Sequence, residues 1–454
     1  MTATSAIPAA EVTKGLATWT AGYSPNAITP SAETWAKHCL LDWFACTIAG
    51  AKEPLADILA EEFASGKDGK ATLIARGAKA SAHDAALVNG TLSHALDYDD
   101  VNQFMHGHPT VPVASAVLAL AESLGKSGRD ALTAFIAGYE VECRIGQMAG
   151  DDHYENGYHA TGTFGTFGAA AGAARLMGLD AAKTAMALGI AASQASGLKI
   201  NFGTMTKPLH VGKAAMNGLI AARLAAREFT ARDTAIEAPQ GFIATQVPGF
   251  KAAPIRPDPK QPMAVESNLF KYHAACYLTH SPIEAIRELK RRHNIGADDM
   301  KAMILHVDAG HMKVCDIPEP TTGLEIKFSL RHLSGMALDG VDTAALGTYS
   351  DENANNPRYM EMRRRVRLDT APDKSRPRHG ASVSIELKDG RTVKADYNVG
   401  VPSRDVAAQG EKLEAKFHAL AEPVLGRQRT KTALGLIKRL EEQASLKPLM
   451  EAVA

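Results

Sequence analysis

The stretch Met205–Gly218, MTKPLHVGKAAMNG, sets the character of this chain. A lysine, a proline and a histidine stand where the spacing predicts a helix start. Pro208 fits a first helical turn because its missing N–H has no partner there anyway, and Thr206 is placed to cap. The free N–H groups and positive dipole end of such a start attract anions, and Lys207 adds a full charge beside them. His210, three residues on, shares that face. The stretch reads as one wall of a pocket for a carboxylate or phosphate. A solvated lysine and a packed histidine would be the ordinary alternative, so the reading depends on what else converges there.

Working outward, the composition favours packed helices. The chain has 454 residues, enough for two or three domains with cores of their own. Hydrophobic residues make up 45% with aromatics only 6%, so small residues dominate the helix contacts. Basic and acidic residues balance at 50 each, which leaves no broad field for nucleic acid or an anionic membrane. Cys39, Cys46, Cys143, Cys276 and Cys315 show neither a CxxC pair nor zinc spacing, so they are expected to be buried thiols. No secretory leader or bilayer-length apolar run is evident, and a soluble cytoplasmic protein is expected.

Glu11 to about Gly50 reads as two helices, with a start at Ser31–Glu33, and Ser81–Leu96 as another. His83 and His94 within the latter are read as packed or surface histidines. Next, Asp97–Pro112, DYDDVNQFMHGHPTVP, crowds carboxylates and histidines into a loop. Asp97, Asp99 and Asp100 with His106 and His108 could hold a metal, but the spacing is not that of a divalent site, and no metal is expected. Acid–base chemistry is the better use, with His108 moving a proton and a carboxylate orienting its ring. Asp99, Asp100 and His106 have the plainer reading of a helix cap and an exposed histidine.

Two helices follow, over 113–125 and 130–148, and Glu142 is expected to pair with Arg144 or a neighbour. In Gly157–Gly178, GYHATGTFGTFGAAAGAARLMG, the glycines suit close helix packing better than a nucleotide loop, because no strand precedes them. His159, at the loop-to-helix junction, is the informative residue. A proline-rich crossing at Ala253–Pro262 marks a boundary. Beyond it Ser281 is a candidate cap for SPIEAIRELKRRHN. AMILHV alternates like a strand, and SVSIELKDGRTVKADY reads as a hairpin with Val383, Ile385 and Leu387 facing Val393 and Ala395. The fold class is therefore mainly α with a smaller α+β domain. Val406–Ala454 is helical and expected to return to the first domain.

With these segments in hand the chain resembles the MmgE/PrpD family, on four ordered motifs: ALDYDDV with HGHP, GYHATGTFG, TKPLHVGKAA, and PEPTTGLEIKFSLRH at residues 318–332. The resemblance implies a large all-helical domain (1–265 with 404–454), a smaller α+β lid domain (266–403) and a homodimer. It implies that Asp97, His108, His159 and Lys207 line the active site, and that His280, rather than His273, contributes with His210 to substrate binding. Two departures stand out: Val101 replaces a threonine common after the aspartates, and HMKVCD lacks a tyrosine that several relatives carry. The implied chemistry needs no cofactor. A proton is taken from carbon next to a carboxylate of a small di- or tricarboxylate. Dehydration of a 2-methylcitrate or citrate type is expected first, with iminodisuccinate-type epimerisation and cis-aconitate decarboxylation as alternatives. A non-catalytic dicarboxylate-binding homologue is the reading from another class.

Overall fold

The computed structural model describes residues 11–65, 69–249, 261–371 and 377–454. Most of the proline-rich crossing, residues 253–260, lies outside them. The chain divides into two compact units, one running to Phe270 and resuming at Arg404–Ala454, the other Lys271–Ser403. The first division falls a little beyond residue 265 because the next residues are tied back to the first unit. Leu269 forms a β-bridge with Val101, and the Asn268 side chain accepts a hydrogen bond from Tyr139 at 2.7 Å.

The first unit is built from helices α1 (Val12–Gly22), α2 (Pro30–Gly50), α3 (Pro54–Phe63), α4 (Ala82–His94), α5 (Thr110–Leu124), α6 (Gly128–Glu155), α7 (Ala160–Met177), α8 (Ala181–Ala192), α9 (Thr206–Ala226) and the short α10 (Phe242–Gln246). It is not wholly helical. Strands β1 (Ala71–Leu73) and β2 (Ala78–Ala80) form a small antiparallel pair. Helix α7, composed almost entirely of alanine, glycine, threonine and phenylalanine, is buried and packs against α5, α6, α8 and α9. Close approach needs positions without a side chain. A Cβ at Gly90 on α4 would lie 3.0 Å from the Gly212 Cα on α9. One at Gly218 would lie 2.6 Å from the Thr166 carbonyl oxygen on α7. Real Cβ atoms do not tolerate the second spacing and strain at the first.

Several helix starts differ from the sequence reading. Helix α2 begins at Pro30, capped by Thr29 rather than Ser31. Helix α5 begins at Thr110, directly after His108-Pro109, so Pro112 sits in its first turn. For α9, Thr206 is the first helical residue and makes no cap; its N–H instead donates to the Thr204 hydroxyl at 3.2 Å. Arg144 pairs with Glu140, one turn back, at 2.5 Å and not with Glu142. Glu142, fully buried, has no hydrogen-bond partner on either oxygen among the described residues. Burial pushes its carboxyl well up, so it is held as the neutral acid.

In the second unit, strands β3 (Met300–Asp308), β4 (Val366–Ala371), β5 (Gly380–Leu387) and β6 (Thr392–Asn398) form a sheet in the order β4-β3-β5-β6. Strands β3 and β4 are parallel and the other pairs antiparallel. The hairpin has the expected register, with Val383 opposite Ala395 and Ile385 opposite Val393. Helix α11 (His280–His293) covers β5 and β6, and α12 (Gly323–Ile326), α13 (Leu330–Asp339), α14 (Asp351–Ala354) and α15 (Pro357–Arg364) complete the unit. Ser281 does not cap α11, because its hydroxyl is committed to the His379 carbonyl and to the Val399 N–H. His280 is buried, its ring 4.8 Å from that of His273 and 5.0 Å from that of Tyr277. His273 is satisfied by Glu284 at 2.7 Å and Thr343 at 2.8 Å.

The chain returns to the first unit through α16 (Val406–Leu425), α17 (Arg427–Lys438) and α18 (Lys447–Val453). Helix α16 packs on α2 through Leu413, Phe417 and Leu420, with Leu425 buried where Val424 is only partly so. Lys416 adds a buried ion pair to Asp42 at 2.6 Å. The five cysteines are buried free thiols, and no helix among the described residues is long and apolar enough to cross a membrane.

Candidate active site

The site is assembled within the first unit from the end of α4, the loop after it, and the starts of α7 and α9. His94 closes α4. Asp97 follows with φ of 51°, in the left-handed region that non-glycine residues seldom occupy. The chain folds back there, and Asp99 reaches His94. The His94 Nδ1 lies 2.9 Å from both Asp99 oxygens, and the His108 Nδ1 lies 3.0 Å from one of them. The His94 and His108 rings meet edge to face, 4.5 Å apart.

Burial alone would raise the Asp99 carboxyl, but His94 and His108 beside it hold it well below the usual range. Burial pushes His94 down to about 4 against the pull of Asp99, with Lys207 and His108 adding to the fall. At neutral pH His94 is therefore an uncharged ring donating its Nδ1–H to an ionised Asp99. That makes Asp99 the carboxylate that orients His108. Asp97, expected in that role, lies 3.7 Å from the His108 Nε2, too far for a hydrogen bond. Its partner is Lys207, 2.9 Å away.

Lys207 is buried and lies over the Phe202 ring, 5.2 Å from its centre. His159 stands just before α7 and does not cap it with its side chain, which leaves the ring for the site. Its ring lies near-parallel to His94 at 5.7 Å and edge to face with Phe202 at 5.0 Å. His210, one turn along α9 from Lys207, places its Nδ1 3.1 Å from the His159 Nδ1. Burial pushes His159 well down, with His94, Lys207, His210 and His108 pushing the same way. Burial and Lys207 also lower His210. His94, His159 and His210 are therefore neutral rings beside the Lys207 amine.

Asp97, His108, His159, Lys207 and His210 are thus brought together, while His280 belongs to the second unit. His106 points elsewhere, pairing with Asp151 at 2.6 Å. Asp100 faces the core, bonded to Thr110 and, at 2.7 Å, to the Asn268 amide. His94 and Asp99 were missed as site residues. The signal available was the five-residue interval between them, legible only if the chain reverses at Asp97.

Ligand atoms of His94, Asp97, Asp99 and His108 lie within 4.8 Å of one another, the spacing at which a metal is worth testing. The arrangement suits an ion poorly. Asp99 meets His108 at its Nδ1 edge and Asp97 lies toward its Nε2 edge. Both negative charges also have partners already, in His94 and Lys207.

The MmgE/PrpD N-terminal domain matches residues 14–254 and the MmgE/PrpD C-terminal domain residues 273–442. The chain belongs to the MmgE/PrpD family. Similar members of the family include the human cis-aconitate decarboxylase, 29% identical over 79% of this chain and 76% of that protein. The cis-aconitate decarboxylase of Aspergillus terreus (strain NIH 2624 / FGSC A1156) is 26% identical over 97% of this chain and 95% of its own. A cis-aconitate decarboxylase-like protein, oryM, of Aspergillus oryzae is 25% identical over 100% and 99%.

Proposed function

We propose that this protein is a cofactor-independent lyase that decarboxylates cis-aconitate or a closely similar unsaturated tricarboxylate. The observation that carries the reading is the convergence of one buried ammonium, Lys207, with His159 and His210 beside a carboxylate-oriented histidine, His108. The relatives bearing decarboxylase names support this outcome over the dehydration expected from sequence.

The reaction needs few groups. One carboxylate leaves as CO2, the bonding pair shifts to move the double bond, and the carbon at its far end takes up a proton. Negative charge builds on the carboxylate next to that carbon, and preorganised donors stabilise it. Lys207 and His159 are placed for this task. His108, oriented through Asp99, supplies the proton. Asp97 holds the Lys207 ammonium in position. His280 is proposed as a substrate contact, to be tested by His280→Ala.

The test is incubation with cis-aconitate in deuterated water, followed by proton NMR. Itaconate carrying one new deuterium is expected. Parallel incubations with 2-methylcitrate and iminodisuccinate distinguish dehydration and epimerisation. Turnover of either in place of cis-aconitate replaces the decarboxylation reading, and turnover of none overturns the enzyme assignment. Epimerisation is the second reading, favoured by Val101 and the tyrosine-free segment His311–Asp316. That reaction expels no leaving group and tolerates the loss of a hydroxyl donor.

A further inference from the structure

We propose that His210 acts through His159 as a positioning residue, donating its Nδ1–H to the His159 Nδ1 and so fixing His159 as the tautomer with hydrogen on Nε2. The contact is Nδ1 to Nδ1 at 3.1 Å. Two like nitrogens at that distance cannot both carry hydrogen, and two bare lone pairs would repel. The rings must therefore be opposite tautomers. The direction of the bond rests on the function proposed above. A group that faces a growing carboxylate charge beside Lys207 must offer a hydrogen, and with its Nδ1 accepting from His210, His159 offers Nε2–H.

The surroundings keep the pair in register. Gly197, at φ of 149°, lies against both rings: a Cβ there would be 3.3 Å from the His159 Cβ and 3.4 Å from the His210 Nδ1. Its carbonyl also accepts the His159 backbone N–H at 2.9 Å. On the other side a Cβ at Gly162 would lie 3.2 Å from the His210 Cβ. The backbone at Gly197 and Gly162 lies close against the pair. His210 is thus better described as a support for His159 than as a substrate contact in its own right.

The experiment uses the full chain labelled with 15N-histidine, as wild type, His210→Phe and His210→Asn, with His159→Gln to assign the His159 signals. Long-range proton–nitrogen correlation reports which nitrogen of His159 is bare. A bare Nδ1 in the wild type and in His210→Asn, whose amide can donate from the same place, is expected, with a mixture of tautomers in His210→Phe. With cis-aconitate, His210→Phe should lose roughly ten- to a hundredfold in kcat/KM, as when one aimed donor is weakened, and His210→Asn should recover most of it. A wild-type His159 carrying hydrogen on Nδ1, or His210→Asn no better than His210→Phe in both readouts, overturns the proposal. The tautomer spectrum needs no turnover. A wild type with bare Nδ1 and no activity on cis-aconitate would therefore sink the substrate reading and leave the positioning role standing.

Discussion

Asp99 and Asp100 are neighbours in sequence and fully buried, yet their carboxyls are driven in opposite directions. Asp99 turns toward His94 and His108 and is held ionised, well below the usual range. Asp100 turns into the core, and burial, with Asp42 and Asp99 adding repulsion, pushes it up to about 8 despite bonds from Thr110 and Asn268. Burial is common to both, so the sign is set by what the carboxylate meets. Asp99 meets two imidazole rings, whereas Asp100 meets a hydroxyl, an amide and the repulsion of two other carboxylates. One peptide unit thus separates a carboxylate set beside two histidines from a neutral structural acid.

The largest effect is expected at the cation that pairs with Asp97 on the same loop. Lys207→Ala should lower kcat/KM by roughly a thousandfold while circular dichroism stays that of the wild type. Appreciable residual activity would take Lys207 out of the anion site. Next, Asp99→Asn should cost roughly a hundredfold by releasing His108 from its orienting carboxylate, whereas Asp100→Asn should stay within about threefold. Equal losses in the two variants would erase the distinction between the neighbours.

Stability against pH sharpens the same contrast. His94 titrates at about 4 in the fold against an ordinary value of 6.5. Between those values the unfolded chain binds a proton that the folded chain refuses, so acidification destabilises through that window, by about 3 kcal/mol at most. Asp100 works from the other side. Its folded carboxyl keeps a proton that the unfolded chain has lost, so stability falls as pH rises from about 4 toward 8. Thermal melts of Asp100→Asn should show a shallower decline over that range, and an unchanged slope would contradict its placement as a protonated acid. The smallest effect is expected at Glu142, already neutral and unpartnered. Glu142→Gln should change stability by less than about 1 kcal/mol at neutral pH, measured by urea unfolding.

Much of this arrangement was legible in the sequence. The hairpin register followed from alternation, because a strand's side chains can meet only one face. Lys207, His159 and His108 stood out as polar groups at loop-to-helix junctions. Asp99 and His94 did not, because their meeting depends on the backbone reversal at Asp97, which no periodicity announces. Glu142 was misjudged for a related reason. The spacing from Glu140 to Arg144 is one helical turn and wins the ion pair, while Glu142 faces α7, where glycines leave room for a side chain but bring no donor.

The glycine contacts of α9 also have a consequence for redesign. Helix α9 carries Lys207 and His210, and its separation from α4, which carries His94, is gauged by backbone touching backbone at Gly90 and Gly212. That contact works as a calliper on the width of the pocket. A single methyl group there would prise the two walls apart by a fraction of an ångström without touching a polar residue. On the function proposed above, substrate size becomes tunable from a position buried behind the site, one that libraries confined to its lining residues would never sample.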